Sequence, residues 1–515
     1  MSGGRASGGH GKAGVRAMTD PNGAPNPSET FDGLEIGGTV ERLDITRAWL
    51  VDPENRREGP GEVVVRNGIL ESATWLYGHD ADAIDDAGIV VMPGLVDLHA
   101  HFREPGFEDA ETVATGSAAA AHGGFTTVAL MPNTSPAIDE ASVLQRVRGA
   151  AAASGSPIEV LVYGAVTTGR KGETLAAMGE LADGGAIGFS DDGVPVKTAT
   201  ILRNALMYAG MLGLPIVDHP EESAVTEGAE ANEGLVAAVL GLKGWPASAE
   251  ASCVARDIAV LADVLKDEPK ARLHLTHLST VGSIDLVRRA KAIGLPVTCD
   301  VTPHHLAFSD EWIAGSRRWA WQAVDRDGKS RDPWADQALS APPYSTSLRV
   351  NPPLRTPEDA AACLAGLVDR TVDMIATDHA PHTIVDKEVE FGYASNGISG
   401  IETALGTILA LVSTGRLPLR RAVEALTSGP AHVLGSWPGL AGSAVARPRG
   451  LFDGRPADLV VIDQDASWTV TPQSLLSKGK NTPLIGQELR GRTALTIARG
   501  RLAYVDPTPA DVGEE

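Results

Sequence analysis

Apolar positions along this chain fall into two textures. In the middle, short continuous runs of apolar and β-branched residues recur: Val91–Leu98, Phe125–Met131, Ile158–Tyr163, Ala186–Phe189, Leu214–Val217, Arg272–Thr276, Pro296–Cys299 and Asp373–Ala376. Stretches rich in Ala and Leu lie between them, and Thr112–His122, Ala199–Leu212 and Val281–Ile293 read as helices. A continuous apolar run marks a strand buried on both faces, and strands separated by helices run parallel. The eight runs match the strand number of a TIM barrel, an α/β fold. The alternative, an open doubly wound sheet, calls for a glycine-rich phosphate turn after an early strand, and none is present.

Toward both ends the runs become shorter and are broken by Gly, Asp and Pro. Leu43–Val51, Glu62–Ile69 and Ile89–Met92 read as strands, as do Ala457–Ile462, Trp468–Val470 and Ala494–Val505. This predicts a small β domain assembled from both chain ends, residues 37–91 and 447–506, around a barrel at 92–446. Residues 1–36, rich in Gly, Ser, Ala, Pro and Asn, and residues 507–515 are expected to be tails, the first disordered. Between Phe308 and Val350 the barrel pattern fails, and Trp312, Trp319, Trp321 and Trp334 stand among charged residues and prolines. An insertion at about 316–348 is predicted, serving as a lid, a contact surface or a self-packed excursion.

Composition narrows the partners. A chain of 515 residues with 43 % hydrophobic content can bury a large core. A net charge of -22 repels phosphate backbones, so no nucleic-acid partner is expected. The cysteines Cys253, Cys299 and Cys363 form no CxxC pair and no disulfide framework, which fits a reducing cytoplasm. No apolar run reaches the ~18 residues of a membrane span, and the first 35 residues lack the apolar stretch of a signal peptide.

Candidate chemistry lies at the ends of the predicted barrel strands. His99 and His101 are two apart, so they project to one side at the C-terminal end of the first strand, where barrel active sites sit. Asp191 and Asp192 follow the fourth strand, His219 the fifth and His277 the sixth; Asp378 and His379 follow the eighth. Each would cost free energy if buried alone, and a shared cation satisfies them together. Imidazole and carboxylate ligands without thiolate suit zinc, with manganese or cobalt as alternatives. Asp378, beside a metal, can take a proton from water and return it to a leaving nitrogen. Arg103 can grip a carboxylate in bidentate fashion, or else pair on the surface with Glu104 or Asp109. Asn133, Asn351 and His382 lie in loops that reach the same rim and complete a small anion-accepting pocket. His304 and His305 can line it, whereas His122, His274 and His432 read as structural and Cys299 as core.

These stretches, in order, resemble the dihydroorotases of the amidohydrolase superfamily. GLVDLHAHFREPG (94–106), GGFTTVALMPNTSP (123–136), FSDDG (189–193), LTHLST (275–280), VTPHHL (301–306), NPPLR (351–355), ATDHAPH (376–382) and SKGKNTP (477–483) carry the likeness, over roughly residues 40 to 505. The resemblance implies a distorted TIM barrel with a β-sandwich from both chain ends. It implies reversible hydrolysis of L-dihydroorotate to N-carbamoyl-L-aspartate in pyrimidine synthesis. One or two zinc ions per subunit are implied: His99, His101 and Asp378 match the ligands of one, and Asp192 matches a carboxylate bridging to a second, held also by His219 and His277. Asp378 matches the catalytic acid/base; His101, Arg103, Asn133, Asn351 and His382 match substrate contacts. Asn396 and Gly397 stand in the substrate loop, where the family tends to have Phe before the Gly. Asp192 replaces the carboxylated lysine of many relatives, as in the longer, type I enzymes. Some of these need an aspartate carbamoyltransferase partner, and a homo-oligomer is expected. The rival readings are another cyclic amidohydrolase, allantoinase or dihydropyrimidinase, and a non-catalytic scaffold for the carbamoyltransferase.

Overall fold

The computed structural model describes residues 14–17, 35–76, 88–316, 334 and 337–507. Trp319 and Trp321, and most of both expected tails, lie outside the described residues.

Five strands come from the first part of the chain: β1 (Gly14–Ala17), β2 (Arg42–Asp52), β3 (Arg57–Arg66), β4 (Ile69–Trp75) and β5 (Ile89–Pro93). The middle supplies β6 (Leu95–Ala100), β7 (Phe125–Leu130), β8 (Glu159–Val162), β9 (Ile216–Asp218), β10 (Ala231–Asn232), β11 (Gly244–Trp245), β12 (Leu273–Leu275), β13 (Val297–Val301) and β14 (Met374–Ile375). The last part adds β15 (Arg455–Pro456), β16 (Leu459–Thr469), β17 (Glu488–Ala498) and β18 (Arg501–Val505).

Strands from both chain ends share one nine-stranded sheet, ordered β15-β4-β3-β2-β5-β16-β17-β18 with β1 alongside β2. The two ends meet at β5, which runs parallel to β2 and antiparallel to β16. Alternate side chains of this sheet, among them Leu43, Ile45, Val63, Val65, Val91, Val461 and Ile497, form a core of their own. Two expected strands divide at tight turns. Asn67 and Gly68 separate β3 from β4, and Arg499 and Gly500 separate β17 from β18; all four have positive φ, the backbone of a two-residue hairpin turn. Gly14–Ala17, expected in a disordered tail, is instead strand β1. It pairs with Leu43–Thr46, an edge left open because β5 meets β2 only at Trp49 and Leu50.

The expected first barrel run, Val91–Leu98, is two strands in two different sheets. Gly94 divides them: a Cβ there would run into Thr126 and lie 2.6 Å from Asp458 Oδ1, so only glycine lets the chain pass from β5 into β6. Beyond it the chain is α/β. β6-β7-β8 form one parallel sheet and β14-β13-β12-β9 another. The expected run Ala186–Phe189 contributes only Phe189, which bridges Gly164 after β8 and Ile216 of β9. On the other side, Asp378 N–H bonds His99 O at 3.0 Å and His101 N–H bonds His379 O at 2.9 Å, joining the chain after β14 to β6. The expected helices occupy 113–122, 199–212 and 281–292, each opened by a threonine, Thr112, Thr198 or Thr280, whose side chain accepts the N–H three residues on.

The described part of the Trp-bearing segment packs inward. Trp312 and Trp334 are buried against Phe308, with ring centroids 4.5 and 5.7 Å from it, in a cluster that includes Leu348, Phe391 and Leu484. Among the described residues no helix is long and apolar enough to cross a membrane.

Candidate metal centre

Because the parallel strands point one way, the residues just past their ends meet. His99 Nε2 lies 3.1 Å from Asp192 Oδ1 and 3.6 Å from Asp378 Oδ1. His101 Nε2 lies 3.0 Å from Asp378 Oδ1 and 3.6 Å from Asp192 Oδ2. The His277 ring is centred 5.1 Å from that of His99 and 4.6 Å from that of His219. All six side chains are buried. Asp191 stays apart: its carboxylate accepts the N–H groups of Val166 and Thr167 at 2.9 and 3.0 Å and shapes the loop instead.

Hydrogen-bond polarity tests whether this set suits a cation. Asn133 Nδ2 donates to Asp192 Oδ2 at 3.0 Å, so Asn133 Oδ1 must accept from His101 Nδ1–H at 2.9 Å. Burial pushes the His101 pKa down, favouring the neutral ring. Its Nε2 therefore presents a lone pair to the Asp378 carboxylate, acceptor against acceptor, an arrangement that a cation between them reconciles. His99 is close to Asp192, yet neither of its ring nitrogens forms an aligned hydrogen bond, and His219 Nδ1 and His277 Nδ1 are likewise buried without partners. Three imidazoles with buried, partnerless nitrogens, gathered with His101 and two carboxylates, fit a divalent metal.

Burial works against ionising Asp192 and Asp378; the neighbouring imidazoles, chiefly His99, hold Asp192 below the ordinary carboxylate range, and a proton on His101 Nε2 would do the same for Asp378, a place that a cation takes when Nε2 is a lone pair. Burial lowers the His99 pKa, and the Asp192 charge outweighs it, raising the value to about 9. His277 falls well below the usual value through burial and then the charges of His219 and His99. Arg103, His277 and Asp378 have φ of 62°, 34° and 48°, a left-handed backbone uncommon for non-glycine residues.

Beside this cluster lies a polar pocket. Arg103 turns inward rather than toward Glu104 or Asp109: Nε donates to Pro381 O at 3.0 Å, and one terminal nitrogen is 3.3 Å from His382 Nε2. Burial lowers Arg103 to about 10, still charged at neutral pH. Burial and then the Arg103 charge lower His382 to about 3, so it is neutral. His382 Nε2–H donates to Asn396 O at 2.8 Å, and Arg349 Nε holds Asn396 Oδ1 at 3.0 Å. Asn351 Nδ2 donates to Glu221 Oε2 at 2.9 Å, and the same oxygen lies 3.8 Å from His219 Nδ1.

Several supporting residues escaped the sequence reading. Asp97 accepts from the N–H groups of His99 and Thr377 at 3.1 and 3.0 Å, tying β6 to the segment carrying Asp378; burial raises its pKa to about 6. Asp300 accepts His277 N–H at 2.8 Å and bonds His274 Nε2 at 2.8 Å. Asn481 joins the His382 and Gly397 loops through four hydrogen bonds. Their available signal was an acid or amide inside an otherwise apolar or matched stretch. His305 bonds Thr302 and Pro352 O, and His122 bonds Glu402.

Comparison with known proteins agrees with this geometry. A family model described as dihydro-orotase-like matches residues 88–280. A dihydroorotase of Pelotomaculum thermopropionicum is 42 % identical over 468 residues, covering 90 % of this chain and 99 % of that one. One from Anaeromyxobacter sp. (strain K) is 44 % identical over 464 residues, covering 90 % and 98 %. Among solved structures, an L-hydantoinase (dihydropyrimidinase) from Arthrobacter aurescens matches with a TM-score of 0.69 at 23 % identity, over 90 % of this chain and 96 % of that one. A D-hydantoinase matches at 0.69 and 20 %, over 90 % and 95 %. The hydantoinases share the fold, the closer sequences share nearly the full length, and the chain belongs to the dihydroorotase family.

Proposed function

We propose that this protein is a metal-dependent dihydroorotase, opening L-dihydroorotate to N-carbamoyl-L-aspartate and closing it again in pyrimidine synthesis. The observation that carries this is the His101 Nε2 lone pair facing the Asp378 carboxylate at 3.0 Å inside a ring of buried imidazoles. His99, His101 and Asp378 are read as ligands of one zinc ion, and Asp192, His219 and His277 as the set for a second. A divalent cation held by these residues would lower the pKa of water and polarise a carbonyl. Asp378, held ionised, takes the proton released as hydroxide adds to the carbonyl carbon, and returns it to the ring nitrogen as the carbon–nitrogen bond breaks. Arg103 grips the exocyclic carboxylate and so orients the ring, with His382 lining the same pocket. Asn133, Asn351, Asn396 and Gly397 complete the pocket.

The parallel strands are read as a distorted TIM barrel, and the nine-stranded terminal sheet as a β-sandwich. The proposed setting is cytoplasmic, as a homo-oligomer with aspartate carbamoyltransferase as candidate partner; assaying turnover with and without that protein checks the last point. Allantoinase or dihydropyrimidinase activity is the second reading, on the same fold as the matched hydantoinase. A part-buried guanidinium in the pocket argues for a substrate bearing a carboxylate. Turnover of dihydroorotate, allantoin and dihydrouracil by the metal-loaded protein decides between them. Asp378→Ala should abolish turnover while the protein still folds; near-wild-type turnover by that variant overturns the mechanism.

A further inference from the structure

The Asn351 side chain has an orientation that chemistry fixes. Its Nδ2 donates to Glu221 Oε2 at 2.9 Å. A carboxylate accepts hydrogen bonds and cannot donate them, so the opposite amide orientation would set oxygen against oxygen. Glu221 is in turn anchored by the Thr226 hydroxyl. With the N–H end committed, the carbonyl Oδ1 is the free end, and it is buried without a partner. An unmet buried acceptor is unfavourable unless a ligand supplies a donor. The candidate substrate carries such donors: a cyclic ureide has a ring N–H on each side of its urea carbonyl.

We propose that Glu221 sets the polarity of Asn351 so that its Oδ1 accepts a hydrogen bond from a ring N–H of the substrate. Glu221 is then a positioning residue that determines specificity for an unsubstituted ring nitrogen. The inference rests on the dihydroorotase reading and extends it to a residue outside the metal ligands and the carboxylate clamp. It selects against rings whose nitrogen at that position is alkylated or replaced by oxygen, because such rings leave Oδ1 unpaired.

The test is a double-variant cycle on the metal-loaded protein with Glu221→Ala, Asn351→Ala and the pair. The substrates are L-dihydroorotate and its two ring N-methyl derivatives. Wild type should prefer the parent over one N-methyl isomer. Each single variant should raise KM for the parent about tenfold, the worth of one neutral hydrogen bond, and reduce that preference by a similar factor. The pair should be no worse than Asn351→Ala alone, because both remove the same contact. Additive losses, or an undiminished preference in Glu221→Ala with bound metal retained, would overturn the proposal. If Glu221→Ala fails to fold, unchanged preference in Asn351→Ala overturns it equally. No dihydroorotate turnover by wild type would sink the functional reading instead. The Glu221–Asn351 coupling would then be read from thermal stability, where additivity of the single variants counts against it.

Discussion

Replacing Asn481 with alanine should loosen the substrate pocket from a distance. Asn481 is buried, and all four of its hydrogen-bonding sites are used. Its Oδ1 accepts His382 N–H and the Ser399 hydroxyl, each at 2.8 Å; its Nδ2 donates to Ala380 O and Gly397 O, each at 3.0 Å. Ser399 keeps a second acceptor, Gly479 O at 2.8 Å, so of the four partners the change strands only the three backbone groups. At ~1–3 kcal/mol for each buried group left unpaired, with water meeting part of the demand, the loss of stability should be about 3 kcal/mol. The stranded groups belong to the segments carrying His382 and Gly397, so KM should rise more than kcat falls. Asn481→Asp keeps both acceptor contacts but turns a carboxylate oxygen toward two carbonyl oxygens; it should be at least as damaging at neutral pH and recover partly in acid, where a proton restores one donor. Urea unfolding and steady-state kinetics on the metal-loaded protein measure both effects. A stability change below ~0.5 kcal/mol with an unchanged KM would refute the role assigned to Asn481.

Gly94→Ala should cost ~1–3 kcal/mol in chemical denaturation, because the new methyl meets Thr126 and the Asp458 carboxylate. Lys387 is buried with Nζ donating to Ser395 O at 2.6 Å, and burial, then the Arg349 charge, lowers its pKa to about 7. The unfolded chain, with an ordinary lysine pKa near ~10.4, binds the extra proton between those values, so stability should rise with pH across that window and Lys387→Met should flatten the slope by up to ~5 kcal/mol in total. Removing metal with a chelator should lower the melting temperature and abolish turnover, and zinc, manganese or cobalt should restore both, because the folded state alone gathers the ligands; a melting temperature indifferent to metal contradicts the centre.

Much of the frame was readable before any coordinates. Continuous apolar runs such as Phe125–Met131 mark doubly buried parallel strands because burial on both faces removes the polar alternation. His99 and His101 stood out because a strand places residues two apart on one side. The helices at 113–122, 199–212 and 281–292 were legible too, as Ala- and Leu-rich stretches between the apolar runs. Other features depend on what a residue meets after folding. The division of Val91–Leu98 turns on Thr126 and Asp458, which press on Gly94 from distant parts of the chain. Asp97, Asp300 and Glu221 look like isolated acids in sequence, yet each accepts hydrogen bonds that fix a strand end, a ligand backbone or an amide orientation.

The sequence by itself determined which side chains were available and the local periodicities that place them at strand ends, because those depend on neighbours only a few positions away. Only the tertiary structure decided that β1 adds to the sheet, that Arg103 turns inward toward His382, and that Asn133 fixes the His101 tautomer against Asp192. Donor and acceptor direction is a relation between groups far apart in the chain, and it takes a definite value only once the fold has excluded water and brought them within bonding distance.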